Sequence, residues 1–251
     1  MNEHIPAALP ARRRVVILPT YNEAATLPRM VEDVLHAVAT DIIVVDDNSP
    51  DGTGKIAESL ASTEPRLSVI HRMKKAGLGP AYVEGFRAAL DRGYEQLFQM
   101  DADGSHEPAA LPLLASALEY ADLAIGSRYV PGGAVENWSM VRRAISQGGS
   151  IYSRLLLGLH VQDTTSGFKG WRADLLRGIL SDDAPANGYV FQVEMTYRAV
   201  QAAARLREVP IVFRDRISGQ SKFSARIVAE ASVRVAALGM SRLGVPREQV
   251  L

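Results

Sequence analysis

Three observations predict an α/β domain built on a mostly parallel sheet with helices on both faces. Short apolar runs rich in β-branched residues recur along the first half of the chain. Stretches with apolar residues at helical spacing separate them. No internal repeat, low-complexity tract or proline- and glycine-rich linker divides the sequence. Strands buried on both faces read as continuous apolar runs, and alternation of strand with helix sets successive strands parallel.

The strands are expected over residues 14–18, 42–46, 67–71, 96–100 and 123–126. Between the first two, residues 24–38 place Leu27, Met30, Val31, Val34, Leu35 and Val38 on one helical face. Residues 81–90 and 109–118 repeat the pattern, the latter after Pro108, since the first turn of a helix tolerates proline. Residues 223–240 predict another amphipathic helix. There Arg226, Glu230 and Arg234 recur every fourth residue, with Ile227, Val228, Ala231, Val235 and Leu238 as the apolar face. Residues 1–12 are polar and proline-containing and are expected to fray. Residues 13–224 then form the main domain, and 225–251 a C-terminal helix and tail.

Composition narrows the function classes. The 251 residues are 47% hydrophobic and 22% charged, ordinary for a folded globular protein. Lys plus Arg (28) equals Asp plus Glu (28), which argues against bulk attraction to nucleic acid. Without cysteine there is neither a disulfide framework nor a thiolate metal site, compatible with a cytoplasmic setting. The N-terminus lacks the apolar segment of a secretory signal. The most apolar stretch, residues 227–245, is broken by Glu230, Arg234 and Arg242, short of the ~18–20 uninterrupted apolar residues of a spanning helix.

Four loops carry chemistry. Asp101-Ala102-Asp103 follows the fourth strand, at the end of a parallel sheet where ligands bind. Two carboxylates one residue apart on an irregular turn can converge on one hard divalent cation, which fills its other positions with water and substrate phosphates. Pro19-Thr20-Tyr21-Asn22-Glu23 follows the first strand, Asp46-Asp47-Asn48-Ser49-Pro50-Asp51-Gly52-Thr53 the second, and Lys74-Lys75-Ala76-Gly77-Leu78-Gly79 lies beyond the third. Taken singly, each also reads as turn chemistry, because Asp, Asn, Pro and Gly all favour turns. Their coincidence on one rim points to a nucleotide-diphosphate site. The glycines fit neither the dinucleotide fingerprint nor the P-loop, and no serine has a nucleophile-elbow context. His71 ends a strand and reads as structural. His106, beside the acidic motif at a helix start, reads as a supporting residue. Residues 138–160 hold Arg142, Arg143 and Arg154 and no acid among many apolar residues. This suits an interfacial element with cations for phosphate, and equally a packed helix whose arginines are solvated.

These motifs, with Gly126-Ser127-Arg128-Tyr129, Thr165-Ser166-Gly167-Phe168-Lys169 and Arg216-Ile217-Ser218-Gly219-Gln220-Ser221-Lys222, resemble in order and spacing the family 2 glycosyltransferases of the GT-A fold. Within them the chain is similar to the polyprenyl-phosphate (dolichol-phosphate) mannose synthases. The resemblance implies inverting transfer of mannose from GDP-mannose to a membrane polyprenyl phosphate, with release of GDP. It implies that Pro19, Tyr21, Glu23, Val45, Asp47, Lys75 and Gly77 hold the nucleoside, with Asp101 and Ala102 on the nucleotide-sugar. Mg²⁺ or Mn²⁺ is implied at Asp101 and Asp103. Ser105 completes the motif where family members often carry Gln, and offers a hydroxyl to the metal or to its water. Arg128, Arg142, Arg143 and Ser146 are implied at the lipid phosphate, and Arg216 and Lys222 at either the donor diphosphate or the acceptor. Gln192 and Glu194 match a position facing the sugar. Asp101, Asp103, Arg128 and Arg216 are the implied catalytic set. A phosphate acceptor is already anionic at neutral pH, so alignment and charge neutralisation matter more than a general base. A peripheral place on the cytoplasmic face of the membrane is expected, with a separate membrane-spanning anchor protein as a possible partner. UDP-glucose as donor, a saccharide acceptor, or a non-catalytic nucleotide-sugar binding module are the competing readings.

Overall fold

The structure, a computed structural model, describes residues 12–181, 188–214 and 232–239. The strand and helix alternation of the first half is present: β1 (Arg14–Thr20), α1 (Leu27–Ala37), β2 (Asp41–Asp46), α2 (Thr53–Thr63), β3 (Leu67–His71), α3 (Leu78–Asp91), β4 (Gln96–Gln99), α4 (Leu111–Ala117) and β5 (Leu123–Ser127). The second half is less regular. It holds β6 (Ala134–Val135), α5 (Met140–Leu157), β7 (Lys169–Arg172), α6 (Ala173–Ile179), α7 (Tyr189–Gln201), β8 (Leu206–Pro210) and β9 (Val212–Phe213).

Seven strands form one sheet in the order β3-β2-β1-β4-β7-β5-β8, and β6 pairs with β9 separately. All pairings in the large sheet are parallel except those of β7, which runs antiparallel between β4 and β5. The order reverses between β1 and β4, so the loops after these two strands diverge and leave a crevice. Side chains alternate across β1: Val16 and Leu18 join one apolar cluster with α1 and α4, while Val15 and Ile17 join another with α3, α6 and α7. Gly85 lets α3 lie close on the sheet, because a Cβ there would stand 2.6 Å from Ile17 Cγ2. Val45 belongs to this second cluster and is fully buried. Its side chain is core packing beneath α3 and does not line the cavity that opens where β1, β2 and β4 end.

Some boundaries differ from expectation. β1 runs on through Pro19 and Thr20, paired with Val45 and Asp46 of β2. α1 starts only at Leu27, after Thr26 and Leu27 amides have both bonded to the Glu23 carbonyl. α3 begins at Leu78, directly after Gly77, whose φ of 101° only glycine adopts readily. A 3₁₀ turn at Pro108–Ala110 precedes α4. β7 and β8 carry Lys169, Arg172, Arg207 and Glu208 and show no apolar run, which hides them from a periodicity argument. Of the C-terminal helix expected over 223–240, only residues 232–239 are described. They are helical, with Val235 packed among Leu157, Leu159, Val193 and Tyr197.

Candidate active site

A cavity of about 490 Å³ opens where β1, β2 and β4 end, within the range of small-molecule sites. Its first wall is made of loops that brace one another. Asp46 accepts from the hydroxyls of Thr20 (3.1 Å) and Ser49 (2.5 Å), and the Ser49 hydroxyl accepts from the Asn22 amide (3.1 Å). Asp51 accepts from the Ala24 and Thr53 amides, tying the loop after β2 to the loop after β1. Asn22 and Asn48 take positive φ (62° and 58°), a conformation asparagine tolerates better than most residues. Asp47 holds the third loop through the amides of Ala76 and Gly77, both at 3.0 Å, and through Arg72 at 2.6 Å. Lys75 Nζ then lies 3.5 Å above the centre of the Tyr21 ring. Lys75, Tyr21, Glu23 and Asp47 all face the cavity.

The floor is acidic. Asp101 Oδ1 accepts from the hydroxyl of Tyr82 at 2.8 Å. Tyr82 is fully buried in α3 and stacked on Phe86 and Phe191. Burial, then the charge of Asp101, push the Tyr82 phenol well above its ordinary range. Asp103 Oδ1 accepts from the Ser105 amide at 3.0 Å. Ser105 Oγ is buried and has no hydrogen-bond partner among the described residues. Two hard carboxylates beside an unsatisfied buried hydroxyl fit a hard divalent cation. Among the described residues no group of three or more His, Cys, Asp or Glu is placed to hold a metal. His106 is buried, packs between Phe168 and Phe213, and reaches within 3.9 Å of Asp101 Oδ2. It lines the cavity directly, closer in than the supporting role expected for it. His71 lies outside this cavity and pairs at the surface with Glu58 (3.0 Å).

The opposite wall carries arginine and aromatic rings. Arg128 is buried and bonded through Nε (2.7 Å) and Nη2 (2.6 Å) to both oxygens of Asp163, with Nη2 also on Thr165 at 2.8 Å. Burial alone would lower its pKa, but the Asp163 charge and hydrogen bonds hold it above the ordinary value. Asp163, whose own burial would raise it, is held low by Arg128. Arg142, in the first turn of α5, faces the cavity and lies 4.2 Å over the Trp138 ring.

α5 inverts the usual amphipathic arrangement. Its protein-facing side is Ser146, Ser150 and Ser153, which meet Tyr129, Thr165 and Thr164 through hydroxyls. Its apolar residues face outward, with Met140 87% and Leu155 81% exposed and Val141 and Ile151 also exposed. The helix thus packs through its serines and Leu157, while Arg143 and these apolar residues face outward.

The profile of "Glycosyl transferase family 2" matches residues 15–180, most of the chain. The chain belongs to glycosyltransferase family 2. It is 49% identical to the undecaprenyl-phosphate mannosyltransferase of Micrococcus luteus over 91% of this chain and 95% of that protein. It is 47% identical to the polyprenol monophosphomannose synthase of Mycolicibacterium smegmatis over 92% and 88%. Among solved structures, the glucosyl-3-phosphoglycerate synthase of Mycobacterium tuberculosis, in complex with Mn²⁺, UDP and glucosyl-3-phosphoglycerate, shares the fold. Its TM-score is 0.67 at 20% identity, over 96% of this chain and 83% of that one.

For this glycosyltransferase the cavity gathers Pro19, Tyr21, Glu23, Asp47, Lys75, Gly77, Asp101, Ala102, Asp103, Ser105, Arg128, Arg142 and Gln192 from the expected set. Other expected residues stand apart. Arg143 donates to the Val135 carbonyl, Ser146 accepts from Tyr129, and Glu194 pairs with Arg198 at 2.6 Å; none of the three lines the cavity. Arg128 lines it with its charge already matched by Asp163. Arg216 and Lys222 lie outside the described residues. Trp138, Thr165, Gly167, Tyr189 and Phe213 complete the wall without having been singled out for that role. The aromatic flank of the arginines at 138–160 was the available signal for Trp138; Tyr82 and Phe213 carry no local signal.

Proposed function

We propose that this glycosyltransferase moves mannose from GDP-mannose to a polyprenyl phosphate with inversion, giving the mannosyl-lipid phosphate and GDP. The observation that carries the reading is that the Asp101 and Asp103 carboxylates share one cavity with Arg142, whose helix turns an apolar face outward. The named activities of the two bacterial relatives support the same donor sugar and acceptor class.

In this reading the braced loops around Tyr21, Asp47 and Lys75 hold the nucleoside, and Asp101, fixed by Tyr82, orients the sugar end. Asp103, with Asp101 and Ser105, would hold Mg²⁺ or Mn²⁺, which would supply positive charge at the diphosphate. Arg142 draws the acceptor phosphate into line, and Arg128, kept cationic but neutralised by Asp163, shapes that wall. The phosphate is already charged at neutral pH, so its attack on the anomeric carbon needs orientation more than proton removal. The outward face of α5 serves as the contact with lipid on a peripheral membrane surface, the cytoplasmic face in our reading. No helix among the described residues is long and apolar enough to cross a membrane.

The test is transfer of radiolabel from GDP-mannose, beside UDP-glucose, to a short-chain polyprenyl phosphate in detergent, with Mg²⁺ or Mn²⁺ and with EDTA. Metal-dependent mannosyl-lipid is the expected product. Glucosyl-lipid alone changes the donor, and no lipid product with either donor overturns the acceptor assignment.

A further inference from the structure

The floor of the cavity contains a chain of hydrogen bonds whose direction is fixed at its inner end. The indole Nε1–H of Trp171 can only donate. It meets Gln99 Oε1 at 2.9 Å. The Gln99 amide nitrogen is thereby turned the other way, toward the Gly167 carbonyl at 3.1 Å and Gln192 Oε1 at 2.7 Å. Lys169 Nζ, fully buried, reaches the same Gln192 Oε1 at 3.3 Å, the Gln192 carbonyl at 2.8 Å and the Thr196 hydroxyl at 2.9 Å. The indole and the backbone carbonyl thus fix one arrangement, and Lys169 Nζ, whose pKa burial lowers to about 7, lies on the same side of Gln192. Gln192 Oε1 is occupied on the protein side, and Gln192 Nε2 faces the cavity.

That nitrogen is buried and has no hydrogen-bond partner among the described residues. What lies in front of it is the empty side-chain position of Gly167. A Cβ built there would stand 3.6 Å from Gln192 Nε2, 3.4 Å from Asp101 Oδ2 and 3.5 Å from His106 Nε2. The Gly167 backbone is outside the left-handed region, so torsional freedom does not require a glycine there. An obligate donor and a carboxylate acceptor flanking one small gap match a hydroxyl group, which accepts from one and donates to the other. Resting on the mannosyl-transfer reading above, we propose that this gap receives one hydroxyl of the transferred hexose. Gln192 donates to it and Asp101 accepts from it. Gln99, Lys169 and Trp171 are positioning residues that keep Gln192 a donor, and Gly167 is glycine because the hydroxyl needs its space.

Calorimetric titration of GDP-mannose and of GDP, both with Mn²⁺, into wild-type, Gly167→Ala, Gln192→Glu and Gln99→Glu protein tests this. Gly167→Ala introduces only ordinary van der Waals contacts and no backbone strain, so its thermal stability is expected to stay at the wild-type level. Its affinity for GDP-mannose is expected to fall on the order of tenfold or more, with GDP binding unchanged. Gln192→Glu, the same shape with the donor removed, and Gln99→Glu, which opposes the required amide direction, are expected to show the same sugar-selective loss. Combining those two substitutions is expected to add little, as for members of one chain. Wild-type affinity for GDP-mannose in Gly167→Ala, or equal losses for GDP and GDP-mannose in all variants, overturns the proposal. Wild-type protein that binds GDP but shows no preference for GDP-mannose over UDP-glucose overturns the donor reading itself, a different outcome from selective failure of the variants.

Discussion

The cavity wall formed by the loops after β1, β2 and β3 differs from the wall formed around α5 in where its polar groups find partners. In the first, the acids Asp46, Asp47 and Asp51 are bonded to neighbouring backbone amides and hydroxyls, and the loops hold each other. In the second, Arg128 is matched by Asp163 at a distance of 35 residues in sequence, and α5 touches the protein with serines while its apolar residues face out. One wall is a set of loops cross-braced through carboxylates, backbone amides and hydroxyls. The other is closed by a buried ion pair and by hydroxyl contacts, and it leaves apolar residues of α5 exposed among the described residues.

That contrast sets the expected effects of substitution. Asp103→Ala removes one of the two carboxylates proposed to hold the cation, and turnover is expected to drop by about 1000-fold or more in the transfer assay, with the fold unchanged by circular dichroism. Arg128→Ala is expected to act through stability instead. It leaves Asp163 buried and uncompensated, a cost of about 3–5 kcal/mol that denaturant unfolding would register. An unfolding midpoint equal to wild type would make Arg128 a substrate ligand after all. Arg142→Ala is expected to lower kcat/KM for the lipid phosphate by roughly 100-fold while GDP affinity is unchanged, and Arg143→Ala, whose side chain is turned to the Val135 carbonyl, by less than about threefold. Equal losses at 142 and 143 would dissolve the distinction between them. A smaller effect than at Asp103, Arg128 and Arg142, and one confined to membrane attachment, is expected for Met140→Ser with Leu155→Ser. Binding to anionic lipid vesicles in a sedimentation assay falls by roughly tenfold, while transfer to a short, detergent-dispersed acceptor is retained.

The first wall was largely legible because its signals are local. Each of the loops that form it follows an apolar run and contains residues whose turn preferences are known, so strand, loop and rim could be read together. The acids there have a double meaning that spacing cannot separate: Asp46 and Asp51 brace loops, while Asp101 and Asp103 face the cavity. Val45 shows the limit of motif reading. It lies two residues before Asp47, yet it is still within β2 and its side chain packs beneath α3 rather than lining the cavity. The second wall was hidden for physical reasons. β7 and β8 bury or carry charged residues, and neither the Arg128–Asp163 pair nor the bond from Tyr82 to Asp101 leaves a periodic trace. The direction of amphipathicity in α5 was likewise open, since a helix with serines on one face and apolar residues on the other fits either orientation until its neighbours are known.

The antiparallel β7 has a consequence for how the chain is made. β5 pairs only with β7 and β8, both of which follow it in sequence, and β4 has an open edge until β7 arrives. During synthesis, β1 to β4 can assemble as soon as they emerge, whereas β5 waits while residues 128–168 are added. In that interval the nascent protein exposes a bare strand edge next to an unpartnered apolar strand, the combination most prone to intermolecular pairing. Ribosome-bound chains arrested before Lys169 should therefore be the ones that engage chaperones.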